Sequence, residues 1–271
     1  VFSLAACAKS GEMSEKELEK KRAAKLTKLS NVYTMEYLKS DSEEKDSSID
    51  RVKIVDGTAY FSAYYWKEIK DSNDEVSYEN GLDVLKLNEQ EGKLERIRRF
   101  TAKNNYDEAN SVSDNESVNA FYPMADGSIW YNLAINHSDW SDEENYFYEN
   151  KMELVHEDAS GNELARFSLD EAFSGEEDDY VYVEDILMDK SGNLALQTYN
   201  SFYVVDTNGK LLKKIPLADD DANQYVNTVT ATPSGDILAL VVQYGEDDSS
   251  RMIKKLDLES GKFEDLFDCK D

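Results

Sequence analysis

The sequence repeats one pair of glycine turns four times, and each turn is flanked by runs of residues that favour β-strands. Two tight turns in one unit join strands into an antiparallel meander. Such units cannot bury their apolar faces alone and must stack on one another. The repeat therefore predicts an all-β chain of four-stranded antiparallel blades, as in a β-propeller. The paired glycines are Gly57 and Gly92, Gly127 and Gly161, Gly192 and Gly209, and Gly235 and Gly261.

The strand after the first glycine of each pair is apolar at consecutive positions. In the second unit these residues are Ile129, Trp130 and Tyr131, and Tyr60 occupies the position of Trp130 in the first unit. A sheet with one wet face alternates apolar and polar residues, whereas a strand that is buried on both faces does not. We therefore expect this strand to lie between two neighbouring blades, with Tyr60 and Trp130 in the core.

The strand pattern sets the expected domain organisation. A Glu- and Lys-rich segment without proline at 11–29 predicts an exposed helix, so residues 1–30 form a leader, a tether and a charged helix. Residues 31–271 form the propeller, with blades at 31–100, 115–173, 178–217 and 222–271. Most propellers close with more than four blades, so we expect this one to be incomplete and to continue in a longer protein.

The composition excludes one class of partner. The 57 acidic and 30 basic residues give a net charge of −27, which repels the phosphates of nucleic acids. Strong charge often accompanies disorder, but 40% of the residues are hydrophobic and 17 are tyrosines. These values are typical of a folded core beneath an acidic surface.

The sequence contains none of the common catalytic motifs. It has no GxSxG elbow, no phosphate-binding glycine loop, no HExxH helix and no CxxC pair. Two histidines cannot build a histidine-rich metal site, so we predict neither an enzyme nor a cofactor. Two alternatives stay open: calcium held by oxygens of the acidic loops, and a glycoside hydrolase that uses a pair of carboxylates.

Two acidic insertions mark the expected binding face. They cover 67–81 and 136–145 and follow the same strand in successive units, so they should lie on one rim. Trp140 stands alone among polar residues, where a large apolar side chain suggests either a stacking platform or a plug for its own loop. The candidate ligand-binding residues are Trp140, Asp139, Asp142, His137, Asp71 and Asp74.

The N-terminus carries a short processing signal. Leu4-Ala5-Ala6-Cys7 follows apolar residues and precedes a polar tether, which is the pattern of a lipobox. We therefore expect Cys7 to become the lipidated first residue of the mature protein, at the extracellular face of a bacterial membrane. Cys269 has no such context and is interpreted as a structural cysteine.

Together, the lipobox, the charged spacer and the Asp-Gly turns resemble surface lipoproteins of Gram-positive bacteria. They are similar in particular to the propeller that precedes some extracellular solute-binding domains of ABC importers. The resemblance implies a lipid-anchored, non-enzymatic module that binds an extracellular carbohydrate or protein. An accessory role in solute import is the first alternative, and a downstream solute-binding domain would decide for it.

Overall fold

The computed structural model describes residues 39–40, 48–70, 76–107, 109–141, 146–174, 182–219, 224–232, 234–244 and 249–269. Residues 1–38, with the expected lipobox and charged helix, lie outside the described residues. So do the candidate site residues Asp71, Asp74 and Asp142. Among the described residues, no helix is long and apolar enough to cross a bilayer.

The described chain forms four antiparallel sheets, each of which is one blade, in sequence order. The first and second blades have the strand orders β1-β5-β4-β3-β2 and β10-β9-β8-β7-β6. Their strands are β1 (Lys39–Ser40), β2 (Ser48–Val55), β3 (Thr58–Lys70), β4 (Val76–Asn88), β5 (Lys93–Thr101), β6 (Lys103–Asp107), β7 (Val112–Pro123), β8 (Ile129–Asp139), β9 (Phe147–Glu157) and β10 (Glu163–Ser168).

The third and fourth blades have the orders β11-β12-β13-β14 and β15-β16-β17-β18-β19. A single helical turn, α1 (Asp170–Phe173), connects the second blade to the third. The strands are β11 (Asp185–Met188), β12 (Leu194–Gln197), β13 (Ser201–Val205), β14 (Leu211–Pro216), β15 (Ala218–Asp219), β16 (Gln224–Ala231), β17 (Ile237–Tyr244), β18 (Ser249–Asp257) and β19 (Lys262–Asp268). The predicted all-β class and the four blades are confirmed.

Apolar clusters join each blade to the next. Ile129 and Tyr131 pack with residues of the first blade, and Trp130, on the other face of the same strand, packs with the third. Ala195 of the third blade packs in turn against the fourth. The second strand of a blade is therefore buried on both faces, as the sequence predicted, and Tyr60 and Trp130 are core residues.

Four blades are enough to form the ring. The inner strands β7 and β11, β11 and β16, and β16 and β2 each approach within 8 Å between Cα atoms, which brings the fourth blade to the first. The expectation of an incomplete propeller was wrong, because it used the usual number of blades. Closure depends on contacts between inner strands that are far apart in sequence.

Local hydrogen bonds explain why the tight turns recur. The Asp189 carboxylate accepts hydrogen bonds from the backbone N–H groups of Ser191 and Asn193, both at 2.8 Å. Gly192 lies between them with φ of 81°, a conformation that side chains disfavour. Asp158 makes the same turn, and hydrogen bonds from Asn162 and the backbone lower the pKa of its carboxyl group. These carboxylates therefore serve their own turns.

Candidate functional site

The two ends of the blades differ in their connections. The turns between first and second strands, and between third and fourth strands, lie at one end, and their eight paired glycines all have positive φ. We call this end the tight-turn face. Because the strands alternate in direction, the hairpins between second and third strands and the links between blades lie at the opposite end. We call that end the long-connection face.

The second strands of the blades extend by different lengths toward the long-connection face. In the first two blades, β3 and β8 end 13 and 12 residues after the first glycine of their units. In the third blade, β12 ends only five residues after Gly192. The described parts of the two predicted insertions are therefore strand extensions of tall hairpins, not loops. Both hairpins connect second to third strands, so both belong to the long-connection face.

Paired aromatic side chains lie on these tall hairpins. Trp66 and Tyr78 stack in the first blade with ring centroids 4.4 Å apart and an interplanar angle of 18°. Trp140 and Tyr146 stack in the second blade at 5.0 Å and 15°. All four side chains are exposed, and Trp140 has 56% of its surface accessible. Trp140 therefore packs on a hairpin partner and still presents a large apolar surface to solvent.

The other two blades also present tyrosines at this face. Tyr225 and Tyr244 of the fourth blade stack at 5.2 Å, and their hydroxyl groups lie 2.6 Å apart. Tyr199, in the connection between β12 and β13 of the third blade, is 86% exposed. Every blade thus places at least one exposed aromatic ring at the long-connection face.

The structure describes three of the predicted site residues, and they are neighbours in sequence. His137, Asp139 and Trp140 are close in sequence at the end of β8. The His137 Nδ1 atom lies 2.6 Å from a carboxylate oxygen of Asp114, and Asp139 accepts a hydrogen bond from the backbone N–H of Ser141 at 2.9 Å. Both polar residues therefore already have partners, and Trp140 offers the larger free surface.

Three exposed aromatic residues of this face, Trp66, Tyr78 and Tyr146, were not among the predicted site residues. Trp66 follows Tyr60 in an uninterrupted strand-like run, so its sequence context does not distinguish it from the buried residues of that strand. The available signal was the length of the first unit, because Gly57 precedes Gly127 by 70 residues whereas Gly192 precedes Gly235 by 43.

An ion pair occupies the space between opposite blades. The Lys53 Nζ atom of β2 donates to Asp185 Oδ1 of β11 at 2.5 Å and to the carbonyl oxygen of Ile186 at 2.7 Å. Arg51 adds a second cation, 3.4 Å from the other oxygen of Asp185. Burial lowers the pKa of Lys53, and the charge of Asp185 opposes that effect. This pair crosslinks the inner strands of the first and third blades.

The tight-turn face carries a depression between the third and fourth blades, with a volume of about 420 Å³. The carboxylate of Asp236 lies there, 2.5 Å from Lys190 and 3.0 Å from Lys255. Hydrogen bonds from these two lysines lower the pKa of Asp236 to about 2. Within the described ranges, no three His, Cys, Asp or Glu side chains are grouped as in a metal site. Cys269 is a half-buried free thiol.

No protein-family model and no curated protein matches this sequence. Several solved structures are similar to this chain, among them the following three. A protein of unknown function from Bacteroides caccae has 14% identity and a TM-score of 0.40, covering 82% of this chain and 62% of that one. The mannose phosphorylase MPT-4 from Leishmania mexicana has 11% identity and a TM-score of 0.40, covering 93% and 77%. The Pan2 WD40 domain of Neurospora crassa has 8% identity and a TM-score of 0.34, covering 82% and 65%.

This chain therefore spans less than two thirds of the Bacteroides and Neurospora chains. The assignment of this protein to the propeller fold follows from its own strand topology, with four consecutive antiparallel sheets around a ring of inner strands.

Proposed function

We propose that this protein is a non-enzymatic binding module, anchored by lipid on Cys7 to the extracellular face of a bacterial membrane. Its long-connection face binds an extracellular carbohydrate or protein. The observation that carries the proposal is the exposed aromatic surface on that face, in particular the stacked pairs of the two tall hairpins.

Exposed stacked aromatics favour a binding role for a physical reason. Burial of apolar surface stabilises a protein, so an aromatic ring left in water gives up that contribution. Tyrosine and tryptophan combine a large rigid apolar face with a polar group and lose little conformational entropy on binding, which suits them to recognition. Trp140 and Tyr146 already hold each other in one orientation, so part of that ordering precedes the ligand.

The buried carboxylates support a non-enzymatic role. Asp83 is fully buried, and the guanidinium of Arg99 donates to both of its oxygens at 2.7 Å. Asp185 is held by Lys53 and Arg51. Cations therefore already occupy both carboxylates, whereas the two carboxyl groups of a glycosidase must flank the bond of a bound sugar.

The binding face can be tested with two immobilised panels, one of neutral and charged glycans and one of extracellular-matrix proteins such as collagen and fibronectin. We expect the protein to bind a member of one panel and Trp140→Ala to weaken that binding by about 1–3 kcal/mol, the usual loss for an aromatic anchor. Leu164 is a matched control, because it is 57% exposed and lies next to the Gly161 turn of the tight-turn face. Equal losses for Trp140→Ala and Leu164→Ala, or no binding to either panel, would contradict the proposal.

The membrane anchor has its own test. When the complete gene is expressed in a bacterium, we expect the wild-type protein to partition into detergent. The Cys7→Ser variant should remain unprocessed or appear in the aqueous phase, because the acyl chains supply the membrane affinity. A Cys7→Ser protein that partitions as the wild type does would show that Cys7 is not the anchor.

A further inference from the structure

The second blade carries a four-stranded sheet at the long-connection face. We call it the blade-2 extension; it consists of β6 and residues 112–116, 135–139 and 147–151 of β7, β8 and β9. The second strand of this blade ends seven residues further from its glycine than that of the third blade. At about 3.4 Å per residue, it therefore reaches roughly 24 Å beyond the end of β12.

The two sides of the blade-2 extension differ in chemistry. Successive residues of a strand point to opposite sides, and the cross-strand pairs show which residues share a side. The side that contains His137, here the charged side, carries Lys103, Asp114, Glu116, Asp139, Glu149 and Lys151. The side that contains Asn136, here the amide side, carries Ser113, Asn115, Ser138, Tyr148 and Asn150. None of the described residues on the amide side of these strand segments is charged.

A row of asparagines crosses the amide side. Asn104 pairs with Asn115, Asn115 with Asn136, and Asn136 with Asn150, on four adjacent strands. Neighbouring strands are about 4.8 Å apart, so the row spans roughly 14 Å. Asn104 continues it toward the first blade, because its amide nitrogen donates to the Asn80 side-chain oxygen at 3.1 Å.

Neighbouring hydroxyl groups orient the amides of this row. The Asn115 amide nitrogen donates to Ser113 Oγ at 2.9 Å, and the Tyr148 hydroxyl donates to the Asn136 side-chain oxygen at 3.0 Å. The stacked rings of Trp140 and Tyr146 lie at the end of the same hairpin. The amide side thus combines an aromatic platform with a line of amides, of which Asn115 and Asn136 are oriented by their neighbours and Asn150 has a buried side-chain oxygen.

We propose that the amide side binds a neutral oligosaccharide, with sugar rings against Trp140 and Tyr146 and sugar hydroxyls along the asparagine row. The inference rests on the proposed function and specifies its ligand. A sugar presents apolar C–H faces to aromatic rings, and its hydroxyls need partners that donate and accept, as amides do. Among the described residues of these strand segments, the amide side has no cation to attract an anionic ligand and no carboxylate to attract a cationic one, while the acidic protein repels anions as a whole.

The test uses affinity electrophoresis of the full chain with soluble mannan, xylan and β-glucan, and with polygalacturonate as the anionic counterpart. We expect retardation by at least one neutral polysaccharide and none by polygalacturonate. Asn115→Ala and Asn136→Ala should each weaken binding by about two- to tenfold, the effect of one net hydrogen bond. Asn105→Ala is the matched control, since Asn105 pairs with Asp114 and lies on the charged side. It should bind as the wild type does.

Calorimetry with oligosaccharides of increasing length, cut from the polysaccharide that binds, tests the row itself. Affinity should rise with length until the row is filled and then stay constant. Equal effects of Asn105→Ala and Asn136→Ala, or retardation only by polygalacturonate, would overturn the inference. Binding to a matrix protein but to no glycan, if Trp140→Ala abolishes it, would also overturn the inference. That result would leave the proposed function intact. Circular dichroism of each variant identifies any loss of fold.

Discussion

The ion pair between the first and third blades gives a quantitative prediction about stability. Lys53 and Asp185 have side chains that are 5% and 8% exposed, and Asp185 is the common partner of Lys53 and Arg51. Asp185→Asn therefore leaves the buried ammonium group without its charge partner. Removal of one partner from a buried pair usually costs about 3–5 kcal/mol.

The free energy needed to neutralise Lys53 gives a second value for the destabilisation by Asp185→Asn. The buried lysine of the Asp185→Asn variant can lose its proton, and the ordinary pKa of a lysine side chain is 10.5. Neutralising it at pH 7 costs about 1.4 kcal/mol for each of about 3.5 pH units, or roughly 5 kcal/mol. In that variant the unfolded state binds one more proton than the folded state, so stability rises with pH. The cost of Asp185→Asn should therefore fall by as much as about 1.4 kcal/mol per unit between about pH 7 and pH 9.

Two further variants give the expected order of stabilities. Lys53→Met leaves Asp185 with Arg51, so it should cost only about 1–3 kcal/mol. The double variant Lys53→Met/Asp185→Leu replaces the pair by apolar groups and should be more stable than Asp185→Asn. Urea unfolding followed by tryptophan fluorescence measures all three. The reasoning would be refuted if Lys53→Met lowered the free energy of unfolding more than Asp185→Asn does. It would also be refuted if the loss caused by Asp185→Asn did not change with pH.

Two other predictions concern the tight-turn face. Gly209→Ala should lower the free energy of unfolding more than Gly192→Ala does. Both glycines have positive φ, but only at Gly209 would an added Cβ meet another side chain, Phe167 at 2.5 Å. We expect about 1 kcal/mol for Gly192→Ala and at least about 2 kcal/mol for Gly209→Ala in thermal unfolding; equal values would contradict this contact. The pKa of Asp236, about 2, should rise toward its ordinary value in Lys190→Ala, as NMR titration of the carboxyl group would show. Because the pKa of Asp236 is lower in the folded state, its carboxylate stabilises the protein above the unfolded pKa, and this stabilisation disappears as pH falls toward about 2. An unchanged pKa of Asp236 in Lys190→Ala would exclude Lys190 as the cause.

Several features could be predicted from sequence because their causes are local. The turn at Asp189 and Gly192 depends on hydrogen bonds within five residues, so the sequence around Gly192 is enough to predict it. The double burial of Tyr60 and Trp130 followed from consecutive apolar residues in one strand. Trp140 was recognisable as a candidate because it stands among polar and acidic residues in the sequence.

Other features depended on which strands become neighbours. Asn104, Asn115, Asn136 and Asn150 are far apart in sequence, and only the cross-strand register aligns them in one row. The same register separates them from the charges on the opposite side. A shift of one residue would exchange the two sides.

The sequence by itself determined the repeat, the tight turns and the doubly buried second strands, because each results from interactions within a blade or from the apolar pattern of one strand. Only the tertiary structure decided that four blades form the ring, because inner strands of the first and last blades, far apart in sequence, must meet. It also decided that Lys53 and Asp185 pair across the ring. These features arise from packing between blades, whose geometry no single repeat contains.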